Sequence, residues 1–400
     1  MLSPYPHLLK PIKVGKFILK NRMQSSNSMP HFSQGPERYP ADPIMGHYLG
    51  RSKNGAAFVT FCSMEDDPDS PTFPDWLDMS HFPQFDMFDA QCQNYIVEMI
   101  EAMHGQNTLV SGSLFSATKK FRYQNEDGSY SIIDANPKDL HGIGATSMMF
   151  QTIGDDIPAE DLVKIAKSYG QKAAFYKRLG FDAVTIHMSY RAQVPGQLLS
   201  PLSNHRTDEF GGSFENRFRL LKNGIRAAKV YEDDSFMVTA RIGIYDGYAY
   251  PWGFGVSPES GMTPDLTEPT RLVHELHDEL GLDMVNLTMG NPYATTHVTR
   301  PFDFGKYEPD EHPFVGLSRM IHGIGAVKKA VPEMTVWASA PTYLRAYADL
   351  FSAGAVEQGL CDGMLFGRMA FADPDFANEI VKNGRIDPKR VCLTCGKCGD

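Results

Sequence analysis

Eight short runs that read as strands alternate, along this chain, with stretches of helical periodicity. They are RMQSSNS (22–28), AAFVTFC (56–62), TLVSGSL (108–114), FDAVTIH (181–187), SFMVTARI (235–242), LDMVNLT (282–288), MTVWASA (334–340) and CDGMLFG (361–367). Apolar runs of this length suit strands buried on both faces. Between them lie helical patterns such as YIVEMIEAMHG, AKSYGQKAAFYKRLG, FRLLKNGIRAAKVY, TRLVHELHDELG and YLRAYADLFSAG, most ending in a glycine or a short polar turn. The alternation predicts a parallel sheet, and eight strands predict its closure, so the expected fold is α/β, a TIM (β/α)8 barrel. A chain of 400 residues, 42% of them hydrophobic, can bury such a core in one large domain.

Loop lengths make a second argument. The turns from helix into strand are tight (HGQN, LGFD, LGLD, VPEM), whereas residues 63–90, 115–157, 188–212, 243–266 and 289–318 form long segments after strands. Extended loops are therefore expected at the C-terminal face, which carries the active site in such barrels. YQNEDGSYSII (123–133) reads as a hairpin in the third loop. It is expected to cover part of the mouth or a subunit contact, the latter in a homo-oligomer.

A formal net charge of −10 leaves no basic patch for a phosphate backbone or an anionic membrane. Nucleic acid and membrane are excluded as expected partners, and the N-terminus MLSPYPHLLKPIKVGK lacks an apolar signal region. The expectation is a soluble cytoplasmic protein. Of six cysteines, Cys62, Cys92 and Cys361 are scattered and read as small core residues. Cys392, Cys395 and Cys398 instead fall within seven residues, CLTCGKC, a spacing that points to a metal or cluster. The residues by themselves permit zinc or iron–sulfur.

The fourth run ends in His187, with Tyr190 and Arg191 just beyond it. At a strand end this set would face the mouth, where His and Tyr can donate to a carbonyl oxygen and Arg adds fixed positive charge. Such a set stabilises a developing enolate, and Tyr190 is the expected proton donor to carbon. A Schiff-base lysine, which a flavin-free aldolase would need, stands at none of the eight strand ends.

The next segment, QLLSPLSNHRTDEFGGSFENR (197–217), resembles the signature of the Old Yellow Enzyme and 2,4-dienoyl-CoA reductase superfamily of NADH:flavin oxidoreductases. Its residues read as scaffold: Gly211 and Gly212 for a sharp turn, Ser213 as a helix cap, and Arg206, Asp208, Glu215 and Arg217 as ion-pairing groups. The resemblance extends from LKNRMQSS (19–26) through ARI (240–242) to GRMAFADPDF (367–376). It implies FMN at the C-terminal mouth and NADH or NADPH as reductant. Arg241 matches the arginine against the flavin pyrimidine, and Gly367 and Arg368 match the phosphate-binding pair. Ser26, Asn27 and Ser28 match the first strand end, and Ala57 the small residue of the second strand against the cofactor.

Departures from the pattern accompany the match. The third strand reads VSGSL where the family has Gln, leaving Ser111 or Ser113 for that contact. The seventh strand ends in Ala338, Ser339 and Ala340 where the family has a Gly-rich loop, so Ser339 and Ala340 offer amides with less backbone freedom. The usual His-x-x-His or His-x-x-Asn becomes His187 and Tyr190. In the dienoyl-CoA reductase branch the cysteine cluster implies [4Fe-4S], with a fourth cysteine about a dozen residues further on, beyond Asp400. The expected division is accordingly a barrel over 1–380 and the start of a truncated iron–sulfur tail over 381–400.

The activity implied is FMN-dependent reduction of a C=C bond conjugated to a carbonyl, in an anaerobic bacterium. The aromatic loop GIYDGYAYPWGFGV suggests a wide apolar pocket and a bulky enone such as a steroid or bile acid, with a tetrapyrrole or acyl thioester left open. Two alternatives share the barrel: an amine-type flavin dehydrogenase, and an electron-transfer subunit relaying electrons to or from a partner flavoprotein.

Overall fold

The computed structural model describes residues 6–26, 33–34, 39–40, 42–53, 55–62, 89–114, 120–134, 157–189, 194–260, 262–292, 295–305 and 307–395. Eight parallel strands close a barrel: β1 Met23–Ser25, β2 Phe58–Phe61, β3 Leu109–Leu114, β4 Ala183–His187, β5 Met237–Gly243, β6 Met284–Thr288, β7 Thr335–Ala338 and β8 Gly363–Phe366. Each pairs with its neighbour in sequence, and β8 returns to β1 through Met364↔Met23, Leu365↔Gln24 and Phe366↔Ser25. Seven of the eight lie inside the runs read from the sequence, and β5 passes the end of its run by one residue, Gly243. Short connections leave no other closed order for consecutive parallel strands.

Period-2 alternation sorts the strand side chains. Val59, Val110, Val184, Ile186, Ala240, Ile242, Val285, Leu287, Val336 and Phe366 belong to the large core shared with the surrounding helices. The opposite parity lines the barrel interior, and its chemistry changes along the axis. At the N-terminal end Phe58, Ala183, Met237, Met284 and Trp337 pack together with Val14 and Leu19. Those two come from an antiparallel hairpin, Ile12–Val14 with Phe17–Leu19, which plugs that end. Nearer the middle the interior turns polar, and Ser111, Thr185 and Thr239 form a chain of hydroxyls at 2.7 and 2.9 Å.

Helices follow the strands: α1 Asp42–Lys53, α2 Ala90–His104, α3 Ala159–Arg178, α4 Phe214–Lys229, α5 Thr267–Asp278, α6 Pro313–Ala330, α7 Ala348–Glu357 and α8 Phe376–Asn383. The expected hairpin forms from Lys120–Gln124 and Tyr130–Asp134 around a turn at Gly128, and Gln124 is bonded both ways to Gln171 of α3. The division expected at residue 380 falls inside α8. Beyond α8 the chain stays on the barrel: Ile386 is buried, and Arg385 and the Ile386 amide both bond Asp349 of α7. Among the described residues no helix is long and apolar enough to cross a membrane.

Candidate active site

The ends of β4 and β5 define the site. His187 and Arg241 are register partners on these strands, both nearly fully buried, and Asn286 of β6 is the next partner of Arg241. Interior parity puts all three on the lumen side. Burial first, and then the neighbouring guanidinium of Arg241, hold the His187 pKa well below its ordinary value, so the imidazole is neutral. Its Nε2 lies 3.3 Å from Ser189 Oγ. Tyr190 and Arg191, expected beside it, lie outside the described residues.

Across the mouth, the ends of β1, β7 and β8 carry Ser26, Ser339, Ala340, Gly367 and Arg368, expected at the cofactor. The Ser26 amide donates to Phe366 O at 3.0 Å. A Cβ added at Gly367 would meet the Ser26 side chain at 3.8 Å, so these two turns are in contact. Arg368 follows, its guanidinium donating to Pro301 O at 3.2 Å and its neighbour Met369 buried. Ser339 is buried and donates to Leu287 O, and Ala340 has φ +71°, the left-handed conformation that glycine favours. The alanine therefore keeps the turn that the sequence departure put in question. Asn27 and Ser28 lie outside the described residues.

One expectation needs correction. Ala57 precedes β2 and packs with Val14, Leu19 and Trp337 at the plugged end, so it stands at the wrong end of the barrel to touch a group in the mouth. The mouth end of β2 is instead Phe61 and Cys62, where Tyr48 of α1 bonds the Cys62 backbone on both sides. The aromatic loop after β5 lines a cavity at the ends of β4 and β5, where Tyr245 and Phe254 stand with Met188, Gly196, Gly243 and Asn291. Both rings are buried, Trp252 O accepts from Ser200 and Leu202, and a second cavity, of about 330 Å³, lies between this loop and Arg217, Thr267 and Glu268. Neither His187 nor Arg241 lines it.

The signature segment is scaffold, as read. Ser213 caps α4 through the Asn216 amide, and Arg206 pairs with Asp208. Arg217 reaches Glu268 at 2.5 Å while also donating to Leu199 O and Gly212 O, and Glu215 pairs with Arg271. These bonds fix the buried segment Val194–Leu199, which follows directly on residues 190–193. Gly211 has no alternative: a Cβ there would stand 2.0 Å from Arg206 O.

Sequence reading missed Asn286 and Thr288. Asn286 Oδ1 and Thr288 Oγ1 are buried without a hydrogen-bond partner among the described residues, at the register positions of Arg241 and Gly243. Only the inward parity of MVNLT could have singled them out. Orphaned acceptors and hydroxyls beside a buried cation, facing a barrel mouth, suit a polar heterocycle such as flavin, so the residues present fit FMN. Ser113 is buried one inward step above Ser111, toward the same mouth. In the tail the Thr394 amide donates to Cys392 Sγ at 3.4 Å, and Cys395 is exposed. An amide turned onto sulfur suits a ligating thiolate. Cys398 lies outside the described residues, and among those described no three His, Cys, Asp or Glu side chains are grouped to hold a metal.

The sequence matches the model of the NADH:flavin oxidoreductase / NADH oxidase family over residues 7–254. The chain belongs to that family. Among curated relatives, cinnamate reductase of Clostridium sporogenes is 23% identical over 99% of this chain and 55% of its own length. NADH oxidase of Thermoanaerobacter brockii is 20% identical over 98% and 53%. The chain thus spans about half the length of these family members. Among solved structures, 2-naphthoyl-CoA reductase in complex with 2-naphthoyl-CoA aligns with a TM-score of 0.70 at 18% identity, covering 98% of this chain and 54% of that one. At that identity the likeness shows the shared fold alone.

Proposed function

We propose that this family member reduces a C=C bond conjugated to a carbonyl, with FMN as cofactor and NADH or NADPH as the source of electrons. The observation that carries the reading is the neutral, buried His187 held against Arg241 at the mouth. The name of the cinnamate reductase relative supports the same bond type. Bound FMN supplies the two-electron chemistry between a nicotinamide and the alkene.

The chain's own residues do the rest. His187, being neutral, donates one N–H to the substrate carbonyl oxygen and stabilises the charge that develops there. Arg241, Asn286 and Ser113 hold the polar edge of the flavin. Ser26, Asn27, Ser28, Ser339, Ala340, Gly367 and Arg368 hold its phosphate through backbone amides, hydroxyls and one guanidinium. Tyr190 delivers a proton to the α-carbon, and Arg191 adds positive charge near the carbonyl.

Substrate size belongs to the same proposal in a reduced form. The rings of Tyr245 and Phe254 in the aromatic loop are buried while lining the cavity with Met188 and Gly243, so a planar aryl enoate suits the site as well as a steroid-like enone. Cys392, Cys395 and Cys398 are proposed ligands of a [4Fe-4S] cluster, through which a partner flavoprotein can deliver electrons. The test is the visible spectrum of anaerobically purified protein, followed through addition of NADH and then cinnamate, cyclic enones or amines. Flavin bands that bleach with NADH and return with an unsaturated carbonyl support the reading. Return with none of them, or bleaching by amines instead, would sink it.

A further inference from the structure

Between α8 and the thiol turn one side chain gathers three carboxylates. Arg390 lies 2.6 Å from Asp373, 3.0 Å from Glu379 and 3.7 Å from Asp375. The Asp387 amide donates to the other Glu379 oxygen, at 2.8 Å. Asp373 is completely buried, and its Oδ2 has no hydrogen-bond partner among the described residues. Its backbone amide donates to Met369 O, so it ends the short helix Arg368–Ala372 that leaves the Gly367–Arg368 turn. Two residues after Arg390 stands Cys392, whose sulfur accepts from Thr394, a residue with φ +56° and almost no exposure.

The chain therefore runs from the β8 turn through Asp373 and Arg390 to the thiol turn in a handful of contacts. Burial, with Glu379 nearby, raises the Asp373 carboxyl to about 6, so keeping this carboxylate ionised costs free energy in the folded protein. A buried charge of this kind, matched by one cation among three acids, is poorly explained as a stabilising device. It is well explained as a device that fixes one position of the segment that follows.

We propose that Arg390 and Asp373 are positioning residues that latch the Cys392–Cys395 turn to the β8 end of the barrel. Arg385 and Ile386, tied to Asp349, hold the earlier part of the tail on α7, and beside Val391, which packs against the core, Arg390 makes the last ion pairs before the thiols among the described residues. A guanidinium suits the task because its planar fork can meet several carboxylates at once, whereas lysine offers a point charge. The latch is a property of these side chains and does not depend on the reaction proposed above.

The cysteines supply the test and its controls. Cys62, Cys92 and Cys361 are buried and report unfolding of the barrel, and Cys395 is exposed and reports intrinsic thiol reactivity. Alkylation by iodoacetamide, read residue by residue by mass spectrometry on the full chain, is compared for wild type, Arg390→Gln, Arg390→Lys and Asp373→Asn. The expected result is an increase of about tenfold in Cys392 labelling relative to Cys395 in Arg390→Gln and Asp373→Asn, from local opening with the barrel intact. Arg390→Lys should fall between. Backbone hydrogen exchange at Thr394 should rise in the same two variants. An unchanged Cys392 to Cys395 ratio, or a rise that appears only together with labelling of Cys62, Cys92 and Cys361, overturns the latch.

Discussion

His187 and Arg241 stand directly opposite one another on neighbouring parallel strands, and the Met188 amide donates to Arg241 O at 2.8 Å, fixing the first residue past the strand end. Burial, and then a cation at this register position, disfavour a charge on the imidazole, so the histidine is held neutral, the form that the proposed role as hydrogen-bond donor needs.

Replacing His187 by Ala should therefore lower kcat for an unsaturated carbonyl by about 100-fold, the usual loss when one donor to a developing oxyanion is removed. FMN content should stay near that of wild type. Paired kinetics and flavin quantification check this, and loss of flavin instead would assign His187 to cofactor binding.

The same depressed pKa sets a pH dependence. The unfolded chain takes up a proton on this histidine below about 6.5 while the folded protein does not. Stability from this group is thus present above that value and is lost as pH falls through it toward the folded pKa. The expected outcome is a smaller acid-side drop in Tm for His187→Gln than for wild type, and an imidazole NMR signal in the folded wild type that does not titrate between pH 6 and 8.

Ala340 keeps a left-handed backbone at the end of β7. Ala340→Gly removes a left-handed penalty of about 1–2 kcal/mol but adds entropy to the unfolded chain, for a net gain of up to about 1 kcal/mol. Ala340→Val should destabilise, since a β-branched residue tolerates this φ worst. Denaturant melts of both variants decide the point.

Gly211 sits where a methyl group would collide with a carbonyl held by Arg206, itself bonded to Ile157 O and Asp208. Gly211→Ala should cost about 1–3 kcal/mol. Because the clash lies in the scaffold of residues 194–217, turnover should fall before the barrel melts. Activity measured well below Tm separates the two effects.

Asp373 contributes in the opposite sense to a paired surface carboxylate. Its carboxyl is raised to about 6 by burial, with Glu379 adding to the rise, against the lowering by the Asp375 amide and Arg390. Between the unfolded value near 4 and the folded value the native state holds the extra proton, so this group's share of stability declines as pH rises through that window. The difference in Tm between Asp373→Asn and wild type should therefore grow in favour of the variant from pH 4 to pH 6, and then level off.

Much of this was legible in the chain. The eight runs announced the eight strands because a strand covered on both faces must be short and apolar, and helix-to-strand turns too tight to hold a site pushed function to the other end. His187 was readable because it ends β4, a position that sequence alone can count, whereas Arg241, Gly367 and Arg368 were expected only from the family resemblance. Ala57 misled because smallness does not say which end of a strand a residue occupies. Substrate size was not legible, because rings such as Tyr245 and Phe254 suit a core as well as a pocket.

The order of strands and helices, the face that carries the long loops and the thiol spacing at 392–398 follow from local pattern, since hydrophobic periodicity and turn chemistry act over a few residues. Tertiary structure alone decided which side chains meet. Asn286 became a neighbour of Arg241, Ser26 of Gly367, and Arg390 of Asp373 only when the barrel closed and α8 folded back, because these contacts join residues whose separation along the chain carries no local signal.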